Sequence, residues 1–252
     1  MPRVAVQDLP YAIRINAGGG IDIPQTANLP VFRASGFTVH AKAKYFPAAS
    51  FAYSIFSEGG ASFLAPLVDI YFNSTPNLGT VVVQVRNDAG TVMKQTYSAI
   101  KVSSNKFYDI IYRNVNGECA LYIDGVKDSA NYNYTPSGTF TFDQTAIGKL
   151  RSAGVNYDRL NGIISSVQFF NRALADSEII PCMNGVLVGD IGNYKLTEGS
   201  GTTATDSSDN GNNGTITSST WVTDTPSKLR TAATNRLTAV GRQIATNRVK
   251  VN

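Results

Sequence analysis

The chain has 252 residues, 42% of them hydrophobic and 16% charged, with a formal net charge of +4. That apolar content supports a sizeable core and excludes a disordered chain. The mild charge does not by itself indicate a nucleic-acid binder, where a dense basic face is expected, and no apolar run reaches the length of a membrane-spanning helix.

Residues 1–10 form a short arm, MPRVAVQDLP, with neither the apolar core nor the small-residue cleavage site of a signal peptide. This predicts a protein made in a cytoplasm, which leaves only as part of a particle. From residue 11 to 181 the sequence reads as short strands separated by turns. IRINAGGGIDI gives two short alternating runs around a triple glycine. FTVHAKAKYF places Phe37, Val39, Ala41, Ala43 and Tyr45 on one face, and Thr38, His40, Lys42 and Lys44 on the other. The alternation predicts a half-buried strand with His40 on its wet side.

VDIYFNS and TVVVQVRN follow, the second ending at the turn NDAG. FYDIIYRNVNGECALYIDG predicts a hairpin at Asn116-Gly117, because a two-residue type I′ turn needs two positive φ values. Asp124-Gly125 offers the next turn by the same logic. FTFDQTAIG and LNGIISSVQFFN complete the strands. RALADSEII, residues 172–180, is the one helical candidate, with Asp176 as its cap and Pro181 as its stop.

Residues 182–225 continue the β pattern. NYKL and TITSSTWV flank a loop rich in Gly, Asn, Ser and Asp, and Trp221, the single tryptophan, is expected in the core. Cys119 and Cys182 have no zinc or CxxC spacing and read as buried free thiols, with a disulfide between them left open. Residues 226–252 carry Lys228, Arg230, Arg236, Arg242, Arg248 and Lys250 and no Asp or Glu. They are expected to be an attachment segment that docks on an acidic partner through Arg230, Arg236, Arg242, Arg248 and Lys250.

GIISSVQFFNRALADSEI resembles the closing signature of laminin-G-like, concanavalin-A-like jelly rolls, through Gly162, Ile164, Val167, Phe169, Phe170, Asn171, Arg172, Ala173, Leu174 and Glu178. CALYIDG resembles the upstream hairpin of that family, and GIDIPQTANLPVFRASGFTVHAKAKY its opening strands. YKLTEGSGTTATDSSDNGNNGTITSSTWV resembles the segment that begins such a domain, yet here it follows the closing signature. A truncated second copy and a circular permutation both account for this order. Permutation is the preferred reading, because a truncated copy leaves unpaired strands and an exposed Trp221. The resemblance therefore implies an all-β fold: a concanavalin-A-like jelly-roll sandwich of two antiparallel sheets, circularly permuted. The domain spans 11–225, with 186–223 returning to complete it.

No catalytic set is recognisable. His40 is the single histidine, and the acidic run of the related glucanases is missing. Two loop clusters suit glycan binding: Asn131, Tyr132, Asn133 and Tyr134, and Tyr157, Asp158 and Arg159. Asp206, Asp209 and Asn210 offer oxygen ligands for calcium. The family's usual acidic partners fall at Ser165 and Ser166, which weakens that site. The expected function is a non-enzymatic, virion-type structural or adhesion protein, a phage head fibre, decoration or tail-associated protein. It would be homo-oligomeric, bound to other particle proteins through its tail and to glycans through its lectin-like domain. The alternative is a carbohydrate-binding module of a bacterial surface protein.

Overall fold

The triple glycine joins the two sheets. In the computed structural model, which describes residues 10–26, 29–33, 35–47, 52–73 and 79–226, strand β1 (Ala12–Ile23) runs unbroken through it. The first half of β1 pairs with one sheet and the second half with the other, across a register break between Ile15 and Gly20. Gly18 and Gly20 take φ of 84° and 148°, values that a residue with a Cβ rarely adopts. One strand therefore replaces the two short runs expected here.

Strand β2 (Phe37–Tyr45) is followed by a meander of β3 (Ala52–Ser62), β4 (Ala65–Asn73), β5 (Thr80–Arg86) and β6 (Val92–Tyr97). A second meander is β7 (Tyr108–Val115), β8 (Glu118–Ile123) and β9 (Val126–Lys127). Then come β10 (Gln144–Ile147), the small hairpin β11 (Leu150–Ser152) and β12 (Val155–Tyr157), and β13 (Gly162–Phe170). After the helix α1 (Ile179–Met183) follow β14 (Gly192–Tyr194), β15 (Thr203–Ala204) and β16 (Gly214–Val222).

One sheet has the order β6-β5-β4-β3-β10-β1 and the other β1-β13-β2-β7-β8-β9. The architecture is the all-β antiparallel sandwich that the sequence implies. Its core lies between the sheets, where Phe56 meets Phe169 at 5.2 Å and Tyr45 meets Phe72 at 4.9 Å. The β7–β8 turn has φ of 47° at Asn116 and 86° at Gly117, the two positive values the sequence demanded.

The segment after α1 returns to the same sandwich. β14 pairs with β13, and β16 pairs with β1 from Ala12 opposite Val222 to Asp22 opposite Thr215. Ile191, Tyr194, Leu196, Ala204 and Ile216 enter the core shared with the rest of the chain. Trp221 differs from expectation: it is half-buried, because β16 lies outside β1, and its Nε1 donates to Gly201 O at 2.9 Å.

Two further expectations are corrected. His40 is 3% exposed, not on a wet face, because α1 covers that side of β2 with a second apolar cluster of Ile111, Phe170, Leu174 and Ile179. Pro181 lies inside α1, where the first-turn N–H groups have no helical acceptor and proline is tolerated. Ala175, not Asp176, is the cap of the preceding 3₁₀ turn, whose residues are Asp176–Glu178. Both cysteines are free thiols; Cys182 is buried and Cys119 half-buried.

Glu58 closes one end of the core. Its carboxylate accepts the Val31 N–H at 2.6 Å, the Phe32 N–H at 2.8 Å and the Thr145 hydroxyl at 3.0 Å. This pins Phe32 against Phe37, Phe140 and Phe142. Burial outweighs those hydrogen bonds and pushes the Glu58 carboxyl up to about 7. The folded chain thus holds this proton more tightly than the unfolded one. The resulting stability is full below the ordinary carboxyl range and is lost as pH rises through about 7. Denaturant melts at pH 5 and pH 8 should differ by about 3 kcal/mol from this group alone, and Glu58→Gln should flatten the difference.

Candidate ligand-binding surfaces

The first loop cluster is a cover, not a platform. Tyr132 is 1% exposed, and its hydroxyl donates to Asp128 Oδ1 at 3.0 Å. The same carboxylate accepts the N–H groups of Ala99 and Ile100, so Asp128 ties the loop to the end of β6. Tyr134 is half-buried and accepts from Asn114 Nδ2 at 2.7 Å. Asn133 Oδ1 caps the Cys119 N–H at 2.7 Å, and Asn131 Oδ1 accepts the Asn133 N–H at 2.9 Å. These four residues fasten the 128–134 segment across the β7–β8 hairpin. The tyrosines expected to stack on sugar spend their faces on the core.

The second cluster stays on the surface and gains a member. Tyr157 in β12 packs edge-on against Phe63, at the tip of the β3–β4 hairpin, with ring centroids 5.2 Å apart and planes at 70°. Phe63 is 60% exposed and Val155, two residues before Tyr157 on the same strand face, 49%. Two devices hold the hairpins together: Ser152 Oγ accepts the Leu64 N–H at 2.8 Å, and the Ala153 N–H donates to Gly60 O at 2.9 Å.

Asp158 and Arg159 follow at the edge of this apolar surface, both exposed. The Asp158 carbonyl accepts the Ser54 N–H at 2.8 Å, and Arg159 donates to Asn156 O at 3.2 Å. Below them lies Asp69, buried, with the Ser54 hydroxyl donating to it at 2.7 Å. Burial raises the Asp69 carboxyl well above its usual range, and the charge of Asp158 adds to the rise. Sequence reasoning missed Phe63 because its partner is brought by a hairpin far along the chain.

The calcium candidates are turned to other work. Asp206 is buried, and its two oxygens accept the N–H groups of Asn193, Ser208 and Asn212 and the Ser208 hydroxyl, all between 2.8 and 2.9 Å. Every lone pair a cation would use meets a donor. Asn210 points its amide nitrogen, not its oxygen, at the Ile191 carbonyl at 3.2 Å, and Asp209 is exposed. Among the described residues, no group of three or more His, Cys, Asp or Glu is placed to hold a metal. Beside this loop is a cavity of about 280 Å³ lined by Val188, Asp190, Ser207 and Asp209. The residues expected to dock on a partner, Arg230, Arg236, Arg242, Arg248 and Lys250, lie outside the described residues.

Residues 16–180 match the family described as the concanavalin A-like lectin/glucanases superfamily. The chain belongs to this superfamily. The match ends before the segment that supplies β14 to β16, although β14 and β16 pair with matched strands. Similar solved structures include a Bacteroides ovatus protein proposed to bind carbohydrate, with TM-score 0.60, 16% identity, and coverage of 87% of this chain and 62% of that one. The CBM40 domain of a Ruminococcus gnavus sialidase, bound to α2,3-sialyllactose, gives 0.53 and 14%, covering 70% of this chain and 99% of that one. A heptameric SAP-like pentraxin from Limulus polyphemus gives 0.51 and 19%, covering 69% and 82%. At these identities the likeness is one of fold. Comparison with curated proteins finds no match.

Proposed function

We propose that the protein is a non-catalytic adhesion or structural protein of virion type, whose lectin-like domain docks on a glycan-bearing surface through Phe63 and Tyr157. The aromatic pair at the surface, Phe63 exposed and Tyr157 half-buried, carries this reading. Sugar rings present C–H faces that pack on aromatic rings, while Asp158, Arg159 and Asn156 on the same hairpin supply hydrogen-bonding groups for hydroxyls. The particle setting, a head fibre, decoration or tail-associated protein in a homo-oligomer, draws its support from the tail: six Lys and Arg and no Asp or Glu after Asp224. Such a segment suits an acidic partner and releases it as salt rises.

A glycan array probed with the full chain tests the ligand class. Phe63→Ala with Tyr157→Ala should weaken any captured glycan at least about tenfold, the scale of one lost aromatic contact of about 1.4 kcal/mol. No glycan bound, or binding untouched by both substitutions, sinks the reading. A second reading, a carbohydrate-binding module of a bacterial surface protein, uses the same surface and is favoured by the sialyllactose held by the Ruminococcus domain. It predicts glycan binding by a protein that never co-sediments with particles.

A further inference from the structure

The sheet that runs β6-β5-β4-β3-β10-β1 ends on one side at β6, a six-residue strand with no neighbour beyond it among the described residues. The Ser98 N–H donates to the Val81 carbonyl at 2.8 Å, which sets the phase of the β5–β6 ladder. Successive pairs in an antiparallel ladder alternate between bonded and unbonded, so Lys94 and Thr96, opposite Val85 and Val83, turn their backbone groups toward β5. Those of Gln95 and Tyr97 point away from the sheet, where among the described residues they meet no partner.

Edge strands are usually kept short, charged or covered, because open backbone groups recruit further strands. β9, at the end of the other sheet, follows that rule with two residues, one of them Lys127. β6 does not. Its one charged residue, Lys94, lies opposite Val85, on the side that faces the core. The register shift at Val85 and Arg86 brings Val92 onto the same face as Gln95 and Tyr97. These three are the exposed residues of the strand, and the row they form is uncharged, with Val92 47% and Tyr97 39% exposed. The 131–137 segment hydrogen-bonds to the side chains of Thr96 and Met93 on the inner side, not to the outward backbone groups.

We propose that β6 pairs antiparallel with β6 of a second copy of this chain, about a twofold axis at Gln95. The axis sets Gln95 opposite itself, so that each N–H donates to the other copy's carbonyl, and it brings Tyr97 beside Val92 of the second copy. Lys94 falls opposite Thr96, so no like charges meet. The other register open to the outward groups, Gln95 opposite Tyr97, overlaps less of the strand and leaves Val92 uncovered. An antiparallel pairing keeps the same face outward in both copies, and Asp69, Gln84 and Gln95 form one row across that face. Asp158 and Arg159 lie over Asp69 beside Ser54. The dimer therefore presents both Phe63–Tyr157 surfaces on one side, about seven strand spacings or roughly 34 Å apart. Only the resulting two-point grip on glycans rests on the function proposed above.

One strand pair is a small contact beside the roughly 1,200 Å² or more that stable complexes bury, so the test is run against concentration. Sedimentation velocity of the full chain from about 2 to about 200 μM should show a monomer–dimer equilibrium. Gln95→Lys sets two ammonium groups opposite each other at the axis, and Gln95→Pro removes the N–H that reaches the second copy without removing a bond to β5. Each should raise the dissociation constant at least about tenfold and leave the circular dichroism spectrum unchanged. Hydrogen exchange reads the register: the Gln95 and Tyr97 amides should slow as concentration rises, while the Thr96 amide, bonded to β5, is protected throughout. A chain that stays monomeric over this range, or a dimer that both substitutions leave intact, overturns the proposal. So does protection of Gln95 and Tyr97 in the monomer, which assigns the added strand to residues 227–252 of the same chain. None of these outcomes involves a glycan, so the pairing stands or fails apart from the Phe63–Tyr157 reading.

Discussion

Deleting residues 186–252 should abolish cooperative folding and leave an insoluble or molten product. The deletion removes β14, β15 and β16 and strips β1 of the partner it has along both halves. It also empties the core of Ile191, Tyr194, Leu196 and Ile216. Each such side chain contributes about 1.5–3 kcal/mol by burial, so together they approach the 5–15 kcal/mol that typically separates folded from unfolded protein. Nothing in the remaining chain replaces them, and the exposed edge of β1 becomes a template for aggregation. Circular dichroism and a thermal melt of the fragment 1–185 check this. A soluble fragment melting like the full chain shows that the returning segment is an appendage.

The second large effect is expected at Asp206. One carboxylate there serves three backbone N–H groups and a hydroxyl in a loop that closes over Asn193. Asp206→Ala leaves those N–H groups buried without an acceptor, which costs on the order of 4 kcal/mol when charge-assisted bonds are lost together. For a chain of this size the melting temperature should fall by about 10 °C. Asp206→Asn keeps part of the acceptor capacity and should lose less. Added calcium should leave the wild-type melting temperature unchanged, since the carboxylate already meets its donors. A rise in melting temperature with calcium would return Asp206 to the role of ligand.

Much of the scaffold was legible because it rests on local chemistry. Asn116-Gly117 and Asp124-Gly125 announce their turns through the positive φ that few other pairs tolerate. The misplaced opening motif led to β14 and β16, which pair with β13 and β1 of the same sandwich. What stayed hidden depends on contacts between distant segments. β3 carries Glu58, two glycines and three serines, so its pattern does not alternate and gives no strand signal. The strand alternation puts His40 on a wet face, because the helix near residue 180 that covers it is invisible to local pattern. Tyr132 looks like a platform in the sequence because its partner Asp128 resembles an ordinary turn residue until the loop is folded back. The site fared worse than the fold for this reason: Phe63 and Tyr157 meet only after two hairpins are pinned together.

The pairing of Ala12 with Val222 has a mechanical consequence. The sandwich is entered and left at the same point, on adjacent antiparallel strands. A load applied through both ends pulls β1 and β16 apart like a zipper, breaking their hydrogen bonds one after another. A load carried between one end and the Phe63–Tyr157 surface does not act across that seam from its open end and has to be borne by many bonds of the sheets at once. An adhesin anchored by one terminus and gripping through its hairpins would therefore hold under tension that would open the same domain pulled by its two ends.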